Sequence, residues 1–183
     1  MRGMTATPRS PFLVFAALVV AYEWLVSGLS KATHGGFVAG LPARLPADAK
    51  ESGATYARLL RDVVIPHAHL FAVLVVVGEI AVGAGFVVFA LARGRAARVG
   101  LGTVALVGAS MTLNFQLAAG QPLFRLLTPD VFDEGVSLDA LLTLLQLGFA
   151  VYGLAALRPQ SAMKRLWTSR PGVGAANGLS TTA

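Results

Sequence analysis

Two glutamates stand inside apolar runs of this 183-residue chain. Glu23 belongs to the run PFLVFAALVVAYEWLVSGLS, and Glu79 belongs to a second run that begins near Pro66. An ionisable side chain inside a membrane span is a functional candidate by default, and a carboxyl group there can donate or accept protons in catalysis. We therefore predict Glu23 and Glu79 as catalytic residues that move protons. The alternative is structural: each carboxyl group is protonated or hydrogen-bonded to a neighbouring span and only fixes helix register.

Polar or small side chains recur along four apolar runs at steps of three, four or seven residues, which places each set on one face of a helix. Asn114 belongs to the third set and Gln146 to the fourth. An amide group can donate a hydrogen bond to a quinone head or hold a carboxyl group in place. We therefore predict that Asn114 and Gln146 bind a quinone cofactor. The four sets are Glu23, Ser27, Ser30 and His34; Ala68, Ala72, Glu79 and Gly83; Thr103, Ser110, Asn114 and Gln121; and Asp139, Thr143, Gln146 and Gly153.

All three histidines lie where the first run ends and the second begins: His34 follows the first run, and His67 and His69 open the second. Imidazole changes its charge near neutral pH and so carries protons readily. We predict that His34 and His69 serve the mouth of the same cofactor site. On a helix His67 and His69 point about 200° apart. They could share a metal ion only with help from another ligand, so we predict no metal site. Ordinary histidines at the membrane interface are the main alternative, and metal or haem binding is the weaker one.

The elements that must position these groups are membrane spans. Apolar residues make up 55% of the chain and charged residues 13%, and the mean hydropathy is +0.68. The chain has no cysteine, which excludes disulfides, thiolate-bound iron–sulfur clusters and a thiol nucleophile. Four runs can cross a hydrocarbon layer of about 30 Å at about 1.5 Å per residue. We predict an all-α integral membrane protein, a four-transmembrane-helix bundle whose polar faces turn inward, with spans at about residues 11–30, 65–92, 97–119 and 136–157.

The charges that flank the spans predict their orientation. The leader, the turn at residues 93–98 and the tail are basic and hold no carboxylate, whereas the two remaining loops hold several. The positive-inside rule then places both termini in the cytoplasm of a bacterial or archaeal cell, with the chain as a multi-pass protein of the cytoplasmic membrane. The net charge is +6, but the basic residues flank apolar runs instead of forming a stripe with aromatic residues, so we expect lipid and no nucleic acid as a partner. Lys31, at the end of the first span, is expected to reach towards lipid headgroups.

The remaining segments complete the predicted domain. We expect one membrane domain over residues 1–160 and a basic, then disordered cytoplasmic tail over residues 161–183. The first outer loop should contain an interfacial amphipathic helix, because its apolar residues recur at helical spacing opposite charged ones. The loop at residues 120–135 should cap the bundle. The apolar side of the amphipathic helix is Tyr56, Leu59, Leu60, Val63 and Val64, and its charged side is Arg58, Arg61 and Asp62.

Three short motifs in this chain resemble those of the DoxX/DoxD family. They are Gly28-Leu29-Ser30-Lys31 at the end of the first span, Gly78-Glu79-Ile80-Ala81-Val82-Gly83 leading to the basic turn Arg93–Arg98, and Asn114–Gly120 at the end of the third span. The resemblance extends over about residues 12–157. It implies a small four-helix membrane protein in which Glu79 occupies the most characteristic position.

The resemblance also implies an activity. The DoxD branch, which the long loop around Pro42–Val64 fits better, is associated with thiosulfate:quinone oxidoreductase, and other members with thiol and oxidative-stress handling. The chain is then expected to be a subunit that passes electrons from a small reduced sulfur compound or a partner protein to quinone, together with other subunits. The main alternative is a non-catalytic anchor or accessory subunit of a larger respiratory or other membrane complex. A small transporter is a weaker alternative, since the chain has no internal repeat.

Overall fold

The computed structural model describes residues 10–34, 36–120 and 138–157, and no strand occurs in these ranges. Gln121, most of the predicted capping loop and the predicted tail lie outside the described residues. A π turn, Leu60–Val64, and a 3-10 turn, Ile65–His67, join α3 to α4, and a 3-10 turn, Ala155–Leu157, follows α6. The helices are α1 (Pro11–Thr33), α2 (Gly36–Glu51), α3 (Ala54–Leu59), α4 (Ala68–Leu91), α5 (Arg95–Ala118) and α6 (Leu138–Leu154).

Four helical segments are long and apolar enough to cross a membrane, which confirms the number of spans predicted from the sequence. Large apolar side chains are exposed on all four, as expected of surfaces that contact lipid rather than water. The chain is therefore compatible with a multi-pass membrane protein. The four segments are Pro11–Thr33, Ala54–Leu91, Arg95–Ala118 and Asp139–Leu157.

The second of these segments begins at Ala54, earlier than predicted, because the helix after α3 does not stop before Pro66. Proline lacks an N–H group and normally interrupts the hydrogen bonds of a helix. Here the N–H of Ile65 bonds to the carbonyl of Leu60, the wider spacing of a π turn, and the chain continues into α4. The segment that we expected as a separate amphipathic helix is thus helical but continuous with the second span.

Helix α2 was not predicted, because Pro42 and Pro46 lie within it. The two prolines are four residues apart and so lie on the same side of the helix. Leu45 and Ala49, each three residues after a proline, lie next to them on the helix and are buried together with Leu60 and Ala68 of the chain that follows. Burial of this apolar side stabilises the helix in spite of the prolines.

The long helices pack as antiparallel neighbours, α1 on α4, α4 on α5 and α5 on α6. Glycines permit the closest approaches, since they bring no side chain between two backbones. Gly28 of α1 lies against Glu79 of α4, and Gly102 of α5 lies against Gly153 of α6. One hydrophobic core joins all four helices: Ala17, Val20, Ala21, Trp24, Val82, Phe86, Ala90, Leu101, Ala105, Phe149 and Ala150.

Polar faces turn inward on α4 and α6, as predicted. Glu79 is buried with the small residues of its set on α4, and Gln146 and Gly153 are buried on α6. The prediction holds only in part for α1, where Ser30 and His34 are exposed.

The inward prediction is wrong for α5. Thr103, Ser110 and Asn114 are exposed, whereas Thr112 and Gln116 are buried. Thr103 and Ser110 donate their hydroxyl hydrogens to backbone carbonyls four residues earlier, at 3.1 and 2.9 Å, so neither needs a partner in the core. The buried face of α5 is instead defined by small residues that allow close packing: Ala97, Gly102, Ala105, Gly108 and Ala109.

Candidate functional site

Lys31 and Glu79 form an ion pair, with a buried carboxylate, between the last turns of α1 and the middle of α4. The Lys31 Nζ donates to Glu79 Oε1 and also to Ser27 Oγ, the latter at 2.7 Å. The Glu79 side chain is 1% exposed and that of Lys31 26% exposed. A charge in such a place needs a partner of opposite charge. The expectation that Lys31 reaches lipid headgroups is therefore wrong, because Gly28 allows α1 to approach α4 closely enough for the two side chains to meet.

One carboxylate oxygen of this pair stays without a partner. Glu79 Oε2 is buried and has no hydrogen bond within the described residues. A buried acceptor that lacks a donor is destabilising by about 1–3 kcal/mol. The Lys31–Glu79 pair therefore leaves one acceptor of the carboxylate unsatisfied.

A cavity of about 840 Å³ lies beside the pair, at the end of the molecule where α1 and α5 finish and α4 begins. We call it the Lys31 cavity. The Lys31 Nζ lies 5.3 Å from the ring centroid of Phe37 and 5.9 Å from that of Phe115, within the range of cation–π contacts. Most of the lining is apolar, and the polar residues in it are Lys31, Arg44, Asp48, Tyr56 and Asn114.

Tyr56 and Asn114 meet in the wall of the Lys31 cavity. The Tyr56 hydroxyl donates to the Asn114 side-chain oxygen at 3.0 Å and lies 3.2 Å from the Asn114 backbone oxygen. Asn114 Nδ2 donates to the backbone oxygen of Ser110 at 2.7 Å, which fixes the amide orientation. Asn114 was predicted to bind the cofactor, and the structure places it at this cavity.

Gln146 lies elsewhere. It is fully buried in α6, and neither of its amide atoms has a hydrogen-bond partner within the described residues. The amide oxygen packs so closely on Gly108 of α5 that a methyl group there would lie 1.9 Å from it. Gln146 does not line the Lys31 cavity, so the structure does not bring it to the same site as Asn114.

Glu23, His34 and His69 are not gathered at the cavity either. Glu23 is half-buried on α1, eight residues before Lys31. His34 is exposed, with Nδ1 3.0 Å from the backbone oxygen of Ser30 and 3.2 Å from Thr33 Oγ1. His69 is exposed on the first turn of α4. None of the three lines the Lys31 cavity.

The sequence interpretation missed Lys31 as a partner of Glu79, although a signal for it exists. Lys31 lies four residues after Ser27 and eight after Glu23, so it belongs to the polar face already recognised on the first span. It also missed a hydroxyl contact between α5 and α6, where Thr112 Oγ1 and Thr143 Oγ1 are 2.8 Å apart. In the described ranges no group of three or more histidine, aspartate or glutamate side chains could hold a metal ion.

Comparisons of the chain with protein-family models, with curated proteins and with solved structures find no match. The function is therefore inferred from the site itself.

Proposed function

We propose that this chain is a DoxX/DoxD-like membrane subunit that binds a quinone in the Lys31 cavity. It would take part in passing electrons from a small reduced sulfur compound or a partner protein to that quinone. The observation that carries the proposal is the ion pair between buried Glu79 and Lys31, because Lys31 lines a large, mainly apolar cavity.

The residues present fit a quinone. The cavity volume lies within the range of about 300–1,000 Å³ that is typical of small-molecule sites. The carbonyl oxygens of a quinone accept hydrogen bonds, and the cavity offers two donors with a hydrogen left over: the Lys31 ammonium group and the Asn114 amide, which the Tyr56 hydroxyl holds in place. Apolar side chains, among them Leu59 and Phe71, would contact the ring and the tail.

A bound quinone accepts two electrons and two protons and leaves as the quinol. The chain contributes the protons and the orientation. Lys31 holds a proton at the cavity wall and shares it with the buried carboxylate of Glu79 through their hydrogen bond. Glu79 can in turn receive a new proton from solvent through Lys31, because Lys31 is the partly exposed member of the pair. The chain contains no cysteine, so the electrons come from the donor or the partner protein.

The proposal includes a four-helix bundle in the membrane, with α2 and α3 at the outer surface and both termini in the cytoplasm. The charge distribution around the spans supports this orientation. The absence of cysteine from the sequence allows a clean labelling experiment. Ala43→Cys, exposed on α2, should react with a membrane-impermeant maleimide in intact cells, whereas Ala96→Cys, exposed at the start of α5, should react only after lysis. The reverse pattern contradicts the orientation.

Quinone occupancy of the cavity can be tested with a matched pair of substitutions on α4. Val75 lines the cavity, and Val77, two residues later, is 57% exposed on the outside of the helix. The wild type, Val75→Trp and Val77→Trp are purified in mild detergent, and the extracted quinone is measured by mass spectrometry. We expect Val75→Trp to lose quinone and Val77→Trp to retain it. Equal quinone in the two variants, or none in the wild type, contradicts the proposal.

A further inference from the structure

A second cavity, of about 440 Å³, lies between the end of α2 and the start of α3. It shares no lining residue with the Lys31 cavity. Three of its lining side chains are cationic and one is a carboxylate, so its charge is positive. We call it the basic cavity; it is lined by Ala49, Lys50, Ser52, Ala54, Ala57, Arg58, Arg61 and Asp62.

The positive charge of the basic cavity is largely uncompensated by the protein. Lys50 and Arg58 are exposed and have no ion pair or side-chain hydrogen bond with any described residue. Arg61 is held at the cavity by a bond from its Nη2 to the backbone oxygen of Ala49, at 3.3 Å. Asp62 is the one carboxylate in the lining. A fixed guanidinium group with two further cations beside it suits a phosphate oxoanion, whose several oxygens can each accept a hydrogen bond.

Apolar surface follows these cations along the chain. Leu70 and Val73, in the first turns of α4 and outside the lining of the Lys31 cavity, are 58% and 47% exposed. The apolar span of α4 continues from this point. Basic side chains at the end of a span, next to exposed apolar side chains, match the two parts of a lipid: the cations face the headgroup and the apolar residues face the acyl chains.

We propose that Lys50, Arg58 and Arg61 bind the phosphate group of an anionic phospholipid. The chemistry recognised is that of a phosphate oxoanion, and the position beside a candidate span assigns it to a lipid headgroup rather than to free phosphate. This inference rests on the membrane position proposed above but does not involve the quinone. Evidence against the lipid site therefore leaves the quinone site untouched, and the reverse is also true.

The test uses the full-length protein in detergent, stripped of native lipid, and compares its binding of phosphatidylglycerol and of phosphatidylcholine by native mass spectrometry. The variant Lys50→Gln/Arg58→Gln removes two charges, and Lys50→Arg/Arg58→Lys keeps them. Arg93→Gln, exposed in the turn after α4 at the other end of the spans, is the control. We expect the preference for phosphatidylglycerol to fall by about fivefold for each charge removed. It should be unchanged in Arg93→Gln and in the charge-conserving variant.

A preference for phosphatidylglycerol that persists in Lys50→Gln/Arg58→Gln overturns the proposal. A second arm separates the two sources of phosphate by adding inorganic phosphate at matched ionic strength. If phosphate leaves lipid binding unchanged, the lipid assignment is supported. If inorganic phosphate alone binds and displaces the lipid, with the same dependence on Lys50 and Arg58, the site belongs to a free oxoanion and the lipid assignment is wrong.

Discussion

Lys31 and Glu79, 48 positions apart in the sequence, are joined by a salt bridge that connects α1 to α4 beside the Lys31 cavity. Because the carboxylate is nearly inaccessible to solvent and the ammonium group is not, the two members of the pair have different roles. Glu79 depends on Lys31 for its charge compensation, whereas Lys31 also has Ser27 and partial contact with solvent.

This difference predicts that substituting Lys31 and substituting Glu79 lower the stability of the protein by unequal amounts. Lys31→Met leaves a buried carboxylate without its cation, and the loss of one partner from a buried pair costs about 3–5 kcal/mol. Partial exposure of Lys31 places the expected loss at the lower end of that range. Glu79→Gln should be milder, since the amide is uncharged and Lys31 keeps its bond to Ser27. Thermal unfolding in detergent of the wild type, both single variants and the double variant measures the difference.

In the same experiment the double variant Lys31→Met/Glu79→Gln should regain much of the stability lost in Lys31→Met, because no charge is then buried alone. A loss in the double variant equal to the sum of the two single losses would show that the pair contributes no such coupling. Equal midpoints for the two single variants would contradict the predicted difference between them.

Glu79→Gln also distinguishes a catalytic subunit from a non-catalytic anchor subunit. If Glu79 exchanges protons during quinone reduction, its loss should lower the rate by about 10²–10⁴-fold while the protein still assembles. Glu51→Gln, which changes an exposed carboxylate on α2, is the control. The measurement is donor-dependent quinone reduction in membranes that contain equal amounts of each protein. An unchanged rate in Glu79→Gln would favour an accessory subunit whose polar interior is structural.

Tyr56→Phe should weaken quinone binding. The substitution removes the hydroxyl that donates to the Asn114 side-chain oxygen, so the amide that binds the ligand loses one of the hydrogen bonds that orient it. One hydrogen bond is worth about 0.5–1.5 kcal/mol, so the dissociation constant should rise by about two- to tenfold. Titration with a short-tailed quinone measures it, and Tyr22→Phe, 63% exposed on α1, should bind as the wild type does. A Tyr56→Phe variant with the affinity of the wild type would show that the hydroxyl does not position Asn114 for the ligand.

Gly153→Ala should disrupt the contact between α5 and α6. A methyl group at Gly153 would lie 2.4 Å from the backbone oxygen of Arg98 and 2.5 Å from the Cα of Gly102, and backbone atoms cannot move aside as a side chain can. We expect a loss of about 1–3 kcal/mol. Gly148→Ala on the same helix meets no atom within 4 Å and should be neutral or stabilising. Similar unfolding temperatures for the two variants would contradict this packing.

The sequence predicted the four spans because their length and apolar character depend on the chain alone. It did not predict α2, since Pro42 and Pro46 argue locally against a helix and the burial of Leu45 that stabilises it involves a distant part of the chain. The inward face of α5 was misplaced for a related reason. Periodicity identifies a polar face but not the direction in which it points. A hydroxyl such as that of Ser110 can donate to a backbone carbonyl of its own helix, so it does not need a polar partner in the core.

For the candidate site, Glu79 and Asn114 were found by residue type and spacing, and both lie at or beside the Lys31 cavity. The pairing of Glu79 with Lys31 could not be derived in the same way, because it requires knowing that Gly28 brings these two helices together. His34 and His69 were assigned by their position at span ends, which specifies depth but not the direction in which a side chain points.

The most direct test of the central claim is photolabelling of the full-length protein with a light-activated quinone, followed by peptide mass spectrometry. If the quinone occupies the Lys31 cavity, the label should fall on cavity-lining residues of α4 and α5, such as Phe71, Met111 and Phe115, and an excess of unlabelled quinone should abolish it. Label confined to outward-facing residues such as Leu70 and Val77, or label that unlabelled quinone does not displace, would contradict a quinone site in this cavity.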